Sequence, residues 1–236
     1  MKKERIKIDS IPAIIWTNNK SSKLFIAVHG NMSNKEDEPI KILATKLVNK
    51  GYDLLSFDLP EHGERKSDTN YLCKVQNCVI DLNKIISYAK EKYDEINIWA
   101  CSMGAYFSLL AYKDENINKC IFLSPVVNMK KIIDNMMLWS NTTERKLQEK
   151  QEIKTSFGQT LYWDYYQYVK QNPITKWNKK TYILYGDKDN MQDMDTIKKF
   201  SNTFNCNLTV LENGEHYFHT EKQLNYYKTW LDKVIW

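Results

Sequence analysis

Ile96-Asn97-Ile98-Trp99-Ala100-Cys101-Ser102-Met103-Gly104-Ala105 changes its period within a single residue. Residues 96–100 read as an apolar strand, and residues 103–113 continue as a helix-like run. Ser102 stands at the junction, with Ala100 two residues before it and Gly104 two residues after it. A strand turning this sharply into a helix drives the side chains at the two flanking positions together unless both are small, and it leaves the serine hydroxyl projecting at the helix N-terminus. This is a nucleophile elbow with alanine in place of the first glycine. A serine that merely N-caps a core helix shares the local pattern, so the reading depends on what the rest of the chain supplies.

The same alternation extends in both directions. Apolar, β-rich runs at residues 11–16, 24–28, 53–57, 119–123, 182–185 and 208–211 are separated by helical candidates at 36–49, 77–92, 194–203 and 221–234. Within 77–92, Val79, Leu82, Ile85, Ile86 and Ala89 form one stripe. The inner runs are apolar almost throughout, as expected of parallel strands covered by helices on both faces. The predicted fold class is therefore α/β, a central and mostly parallel sheet flanked by helices. All 236 residues fit one domain. One stretch breaks the rhythm: residues 128–177 hold no convincing strand, are rich in methionine and aromatics, and read as an insertion between two strands.

Bulk composition excludes several classes. A hydrophobic fraction of 42% and a charged fraction of 27% are ordinary for a globular chain. No apolar stretch approaches the roughly 20 residues needed to cross a bilayer, so no membrane span is expected. The start, Met1-Lys2-Lys3, is followed by Glu4, Arg5, Lys7 and Asp9, which interrupt any signal-peptide core, so an unexported, cytoplasmic protein is expected. The net charge of +5, from 34 basic and 29 acidic residues, is spread along the chain rather than massed, which argues against a nucleic-acid partner. Five scattered cysteines suggest reduced thiols rather than a disulfide framework. Cys73 and Cys78 lack a second pair to complete a metal site, so no metal is expected. Nothing here sets an oligomeric state.

A serine nucleophile needs a base, and the base needs an orienting carboxylate, both gathered at strand ends. Asp189 lies just beyond the run ending at Tyr185, and His216 just beyond the run ending at Leu211, so the chain order is Ser102, Asp189, His216. Asp187 and Asp193 flank the same loop and compete for the acid role, and His219 competes for the base. Developing negative charge on the attacked carbonyl requires two backbone N–H donors. Met103, directly after the serine, supplies one, and the abrupt exit His29-Gly30-Asn31 supplies the other from Asn31 or a near neighbour. Of the seven glycines five fall in these motifs, as do three of the four histidines. In Phe57-Asp58-Leu59-Pro60-Glu61-His62-Gly63 we read a structural turn with His62 buried and hydrogen-bonded, and we place Cys101 behind the elbow.

The set His-Gly, Phe-Asp-x-Pro-x-His-Gly, Ser-x-Gly, Gly-x-x-Asp and Gly-x-His resembles the α/β-hydrolase superfamily over nearly the whole chain. Within it the chain resembles the cap-bearing esterases and lipases related to monoglyceride lipase, cinnamoyl esterases and serine aminopeptidases. That resemblance implies an α/β-hydrolase fold with a helical cap at about 128–177, inserted before the acid-bearing strand. It also implies a triad of Ser102, Asp189 and His216, and an oxyanion hole of the Asn31 and Met103 amides. Two departures are Glu61, where many relatives carry glycine, and Ala100.

The expected activity is hydrolysis of carboxylic esters of small to medium apolar or aromatic acyl groups through an acyl-enzyme, on a small-molecule substrate and with no cofactor. Trp139, Trp163 and Tyr166 in the insertion are candidate walls of the substrate pocket. A thioesterase or small-peptide hydrolase would use the same triad. A silent ligand-binding protein of this fold is the alternative from another class.

Overall fold

The computed structural model describes residues 1–235. Its first hairpin is β1 (Lys2–Ile8) and β2 (Ile11–Thr17), followed by β3 (Lys23–Val28), α1 (Glu38–Asn49), β4 (Asp53–Phe57), α2 (Val75–Lys90), β5 (Glu95–Cys101), α3 (Met103–Ala111) and β6 (Cys120–Leu123). After an intervening segment come β9 (Thr181–Gly186), α7 (Met194–Thr203), β10 (Asn207–Leu211) and α8 (Glu221–Val234). The eight strands order as β1-β2-β4-β3-β5-β6-β9-β10. β1 with β2 and β2 with β4 are antiparallel; every other neighbouring pair is parallel.

Alternation along each central strand builds two cores, because successive side chains leave opposite faces of a sheet. From β3, Leu24, Ile26 and Val28 pack with α2 and α3, whereas Phe25 and Ala27 pack with α1 and α8. β5 does the same, sending Ile98 and Ala100 to one side and Trp99 to the other. Burial on both faces is why these strands read as continuous apolar runs.

Two elements escaped the sequence reading. β1 is Lys-Lys-Glu-Arg-Ile-Lys-Ile, mostly exposed, yet it pairs along its whole length with β2. Its charges suit an edge strand, where they discourage pairing with another chain. The segment between β6 and β9 contains three helices, α4 (Met129–Trp139), α5 (Glu144–Lys150) and α6 (Trp163–Gln171), but also a small antiparallel sheet of β7 (Glu152–Lys154) and β8 (Thr160–Tyr162). The expectation of no strand in 128–177 is thus corrected. Strands this short carry too few residues for a period to show. Among the described residues no helix is long and apolar enough to cross a membrane.

The turn after β4 is held by buried charge. The Asp58 carboxylate, fully buried, pairs with the buried Lys35 ammonium and accepts hydrogen bonds from the Lys35 amide (3.0 Å) and the Glu64 amide (2.9 Å). Burial alone would lower the Lys35 pKa, but its bonds to Asp58 and Glu64 outweigh that and raise it. Breaking one partner of a buried pair strands the other charge, which costs about 3–5 kcal/mol. Asp58→Asn is expected to lose stability on that scale in urea unfolding; a loss under about 1 kcal/mol would show that water reaches the pair.

Candidate active site

Ser102 sits between β5 and α3 with φ 51° and ψ −124°, a conformation that side chains other than glycine rarely adopt. The turn is fixed from both sides, as the Ser102 amide donates to Leu123 O at 3.1 Å and Ser102 O accepts from the Val126 amide at 3.0 Å. Gly104 explains the need for small neighbours, because a Cβ there would stand 2.3 Å from His29 O and 2.5 Å from Val28 O. Ala100 is fully buried in the core.

The loops after β9 and β10 dock on each other through Asp187 N to Leu211 O (3.1 Å) and Lys188 N to Gly214 O (2.8 Å). That docking delivers two side chains to Ser102. The Ser102 hydroxyl lies 2.8 Å from His216 Nε2, and His216 Nδ1 lies 2.7 Å from Asp189 Oδ2. A carboxylate can only accept here, so Nδ1–H donates to Asp189 and leaves Nε2 to accept the serine proton. The Asp189 side chain is fully buried, and its other oxygen, Oδ1, accepts from the amides of Met191 (2.8 Å) and Gln192 (3.1 Å). Those two bonds fix which oxygen faces the imidazole.

The rivals go elsewhere. Asp187 is exposed. Asp193 caps α7 by accepting from the Thr196 amide at 3.0 Å, and chiefly its bond to Lys131 holds its carboxyl down to about 2. His219 is exposed, stacks on Tyr217 and bonds to the Tyr217 carbonyl at 2.8 Å. The Cys101 thiol is pushed up to about 12 by burial, as a packing residue should be.

Gly30 lies against the elbow, so near that a Cβ on it would stand 2.9 Å from Ser102 Cβ. Two residues on, Met32 N–H is committed to His62 Nε2 at 3.2 Å. Met103 is the first residue of α3, whose N–H has no acceptor within the helix. His62 itself is buried and bonded through Nδ1 to Pro60 O at 2.7 Å. His29 joins the ends of β3 and β4, accepting from Leu59 N at 3.0 Å, and burial lowers its pKa to about 4, so it is neutral.

In the segment after β6, Trp139 is 65% exposed and meets Phe157 edge-on at 6.2 Å. Trp163 opens α6 and is half-buried against the core, tilted over Tyr166 at 6.2 Å. Tyr166 is buried, and its hydroxyl bonds Asp134 at 2.9 Å and Glu144 at 3.3 Å, joining α4, α5 and α6. Gln192, which no motif singled out, is buried and accepts from the amides of Val127 (3.0 Å) and Asn128 (2.8 Å), so it ties the Asp189 loop to the start of the insertion. An isolated glutamine carries no sequence signal for that role.

Residues 19–160 match the family described as Hydrolase_4, serine aminopeptidase, S33. The chain belongs to this family. The matched span of this S33-family hydrolase carries Asn31, Ser102 and Met103, and ends before Asp189 and His216. Its fold is that of solved structures at low identity. Est1E from Butyrivibrio proteoclasticus with ferulic acid bound aligns at TM-score 0.79 and 21% identity, over 98% of this chain and 99% of that one. The Pyrococcus furiosus esterase PF2001 aligns at TM-score 0.68 and 18% identity over 99% and 89%. Mouse alpha/beta hydrolase domain-containing protein 10 aligns at TM-score 0.76 and 12% identity over 100% and 98%. The architecture is the α/β-hydrolase fold. No curated protein is similar enough in sequence to give a match.

Proposed function

We propose that the chain is a serine carboxylesterase in which Ser102 is the nucleophile, His216 the general base and then acid, and Asp189 its orienting partner. The observation that carries this reading is the continuous hydrogen-bonded line from Ser102 Oγ through His216 to the buried Asp189, at 2.8 and 2.7 Å. Ser102 Oγ attacks the ester carbonyl as His216 Nε2 takes its proton. The developing oxyanion is received by the Asn31 and Met103 amides. His216 then protonates the leaving alcohol, and a water deprotonated by His216 releases the acid from Ser102. This sequence uses only the protein's own groups and needs no cofactor.

We assign residues 128–177 the role of a cap that selects the acyl group. Its exposed Leu138, Trp139 and Phe157 form an apolar group suited to an alkyl or aromatic moiety, and the ferulic acid held by Est1E is an aromatic acid of that kind. Tyr166 supports the cap rather than lining a pocket in this reading. Hydrolysis of small peptides or their arylamides is the second reading, favoured by the aminopeptidase description of the family.

A substrate panel on the purified protein separates these. Fluorophosphonate should label it, and kcat/KM should be higher on p-nitrophenyl and feruloyl esters than on aminoacyl p-nitroanilides. Along the ester series each added pair of methylenes should gain up to about 1.6 kcal/mol, roughly tenfold, and Trp139→Ala should flatten that gain while labelling continues. Faster turnover of the anilides would overturn the esterase reading. An unchanged ester profile in Trp139→Ala would remove this tryptophan from the acyl site.

A further inference from the structure

Outside the triad, the five cysteines are free, and two of them meet. Cys73 lies just before α2 and Cys78 within its first turns, and their sulfurs are 3.6 Å apart. The segment carrying Cys73 is held in place by Glu61, whose carboxylate accepts the Cys73 amide at 2.6 Å. Glu61 has φ 61°, where a side chain is strained and glycine is favoured. Glu61 therefore clamps the segment that carries Cys73. The Cys73 thiol also faces the His62 imidazole. That imidazole also touches the loop at the proposed nucleophile, receiving Met32 N–H and lying 3.2 Å from Asn31 Oδ1.

We infer that Cys73 and Cys78 are a dithiol that hydroperoxides oxidise to a disulfide, with Cys73 attacking and Cys78 resolving, and that His62 couples this site to the Asn31–Met32 loop. Two further features support the division of roles. The Cys78 donor first, then His62, hold the Cys73 thiol down at about 6 against its burial and the Glu61 charge, whereas burial and Cys73 push Cys78 up. Burial works against a charged His62, but the neighbouring Cys73 thiol, the Pro60 carbonyl and Glu61 outweigh it and raise its pKa. The groups facing Cys73 are thus Cys78, His62 and Glu61, and the position ahead of a helix N-terminus adds to thiolate stability. Tyr165 of α6 lies on the same cluster and is pushed up by burial, so it stays neutral.

The chemistry balances with peroxide as the oxidant. The Cys73 thiolate attacks one peroxide oxygen and breaks the O–O bond; hydroxide leaves, takes a proton and becomes water, and Cys73 is a sulfenic acid. Cys78 sulfur then attacks the Cys73 sulfur, and the Cys78 proton departs with the hydroxyl as a second water. The two sulfurs close from 3.6 Å to the about 2.0 Å of a disulfide. Cys73 is drawn from His62, which loses the partner that raised its pKa, and the support of the Asn31 amide shifts.

The test exposes reduced protein to hydrogen peroxide, alkylates residual thiols and maps the peptides. A disulfide between Cys73 and Cys78, reversed by dithiothreitol, should form before Cys101, Cys120 or Cys206 is modified. In Cys78→Ser a dimedone adduct should appear at Cys73 instead. Earlier oxidation of any other cysteine, or no dimedone adduct at Cys73, overturns the dithiol. The coupling arm rests on the esterase reading: oxidation should lower ester kcat by roughly tenfold, with recovery on reduction. A mapped disulfide with unchanged kcat overturns the coupling through His62. If the reduced protein turns over no ester, the esterase reading fails while the peptide map still decides the dithiol.

Discussion

Ser102→Ala is expected to lower turnover of small activated esters by on the order of 10⁴-fold or more, with the thermal midpoint nearly unchanged. The geometry separates the two readouts. The hydroxyl is the one atom lost, and among the described residues its bond to His216 Nε2 at 2.8 Å is the only hydrogen bond that goes with it. The backbone bonds that shape the turn, Ser102 N to Leu123 O and Val126 N to Ser102 O, do not involve the side chain. Alanine bears the same strain at φ 51° as serine, of order 1–3 kcal/mol in either protein, so it cancels in the comparison. His216 keeps its anchor on Asp189. Comparing kcat and thermal melts of the two proteins, and repeating the fluorophosphonate labelling, decides the matter. Near-normal turnover in the variant would remove Ser102 as the nucleophile. A large fall in melting temperature would mean that the hydroxyl is structural.

Much of this site was legible because its constraints are local. The elbow needs a small residue two after the serine, and the contact of Gly104 with the Val28 and His29 carbonyls shows that requirement in space. The order of Ser102, Asp189 and His216 followed from strands whose burial on both faces makes them conspicuous. What stayed hidden depends on pairing across the chain. β1 is an edge strand whose alternation is masked by five charged residues out of seven, and only its partner β2 makes it a strand. The three-residue strands β7 and β8 are too short for a period to register. Tyr166 looked like a pocket aromatic, but whether a phenol lines a cleft or bridges helices depends on Asp134 and Glu144, many residues away. Cys73 and Cys78 have no spacing that marks a site; Glu61 and the turn into α2 bring them together.

Asp189→Asn should cut ester turnover by roughly 10⁴-fold at neutral pH, whereas Asp187→Asn should change it by less than about threefold. The sequence left these two carboxylates in competition, and the hydrogen bonds around them predict opposite fates. Asp189 Oδ1 accepts two backbone amides, from Met191 and Gln192. An asparagine at 189 keeps those bonds only by placing its carbonyl oxygen there, which turns its NH₂ toward His216. The imidazole must then accept at Nδ1 and carry its proton on Nε2. In that tautomer Nε2 donates toward Ser102 Oγ, so it cannot take the serine proton, and the nucleophile is not activated. The shape of the site is preserved, so the melting temperature and the affinity for uncharged substrate analogues should be little altered. Asp187 is exposed, and the loop is held through its backbone amide to Leu211 O, which the substitution leaves in place. Steady-state kinetics of both variants at neutral pH supply the comparison. If Asp187→Asn proved the more damaging, Asp187 would be the orienting acid and the bond between His216 and Asp189 would not be the catalytic one.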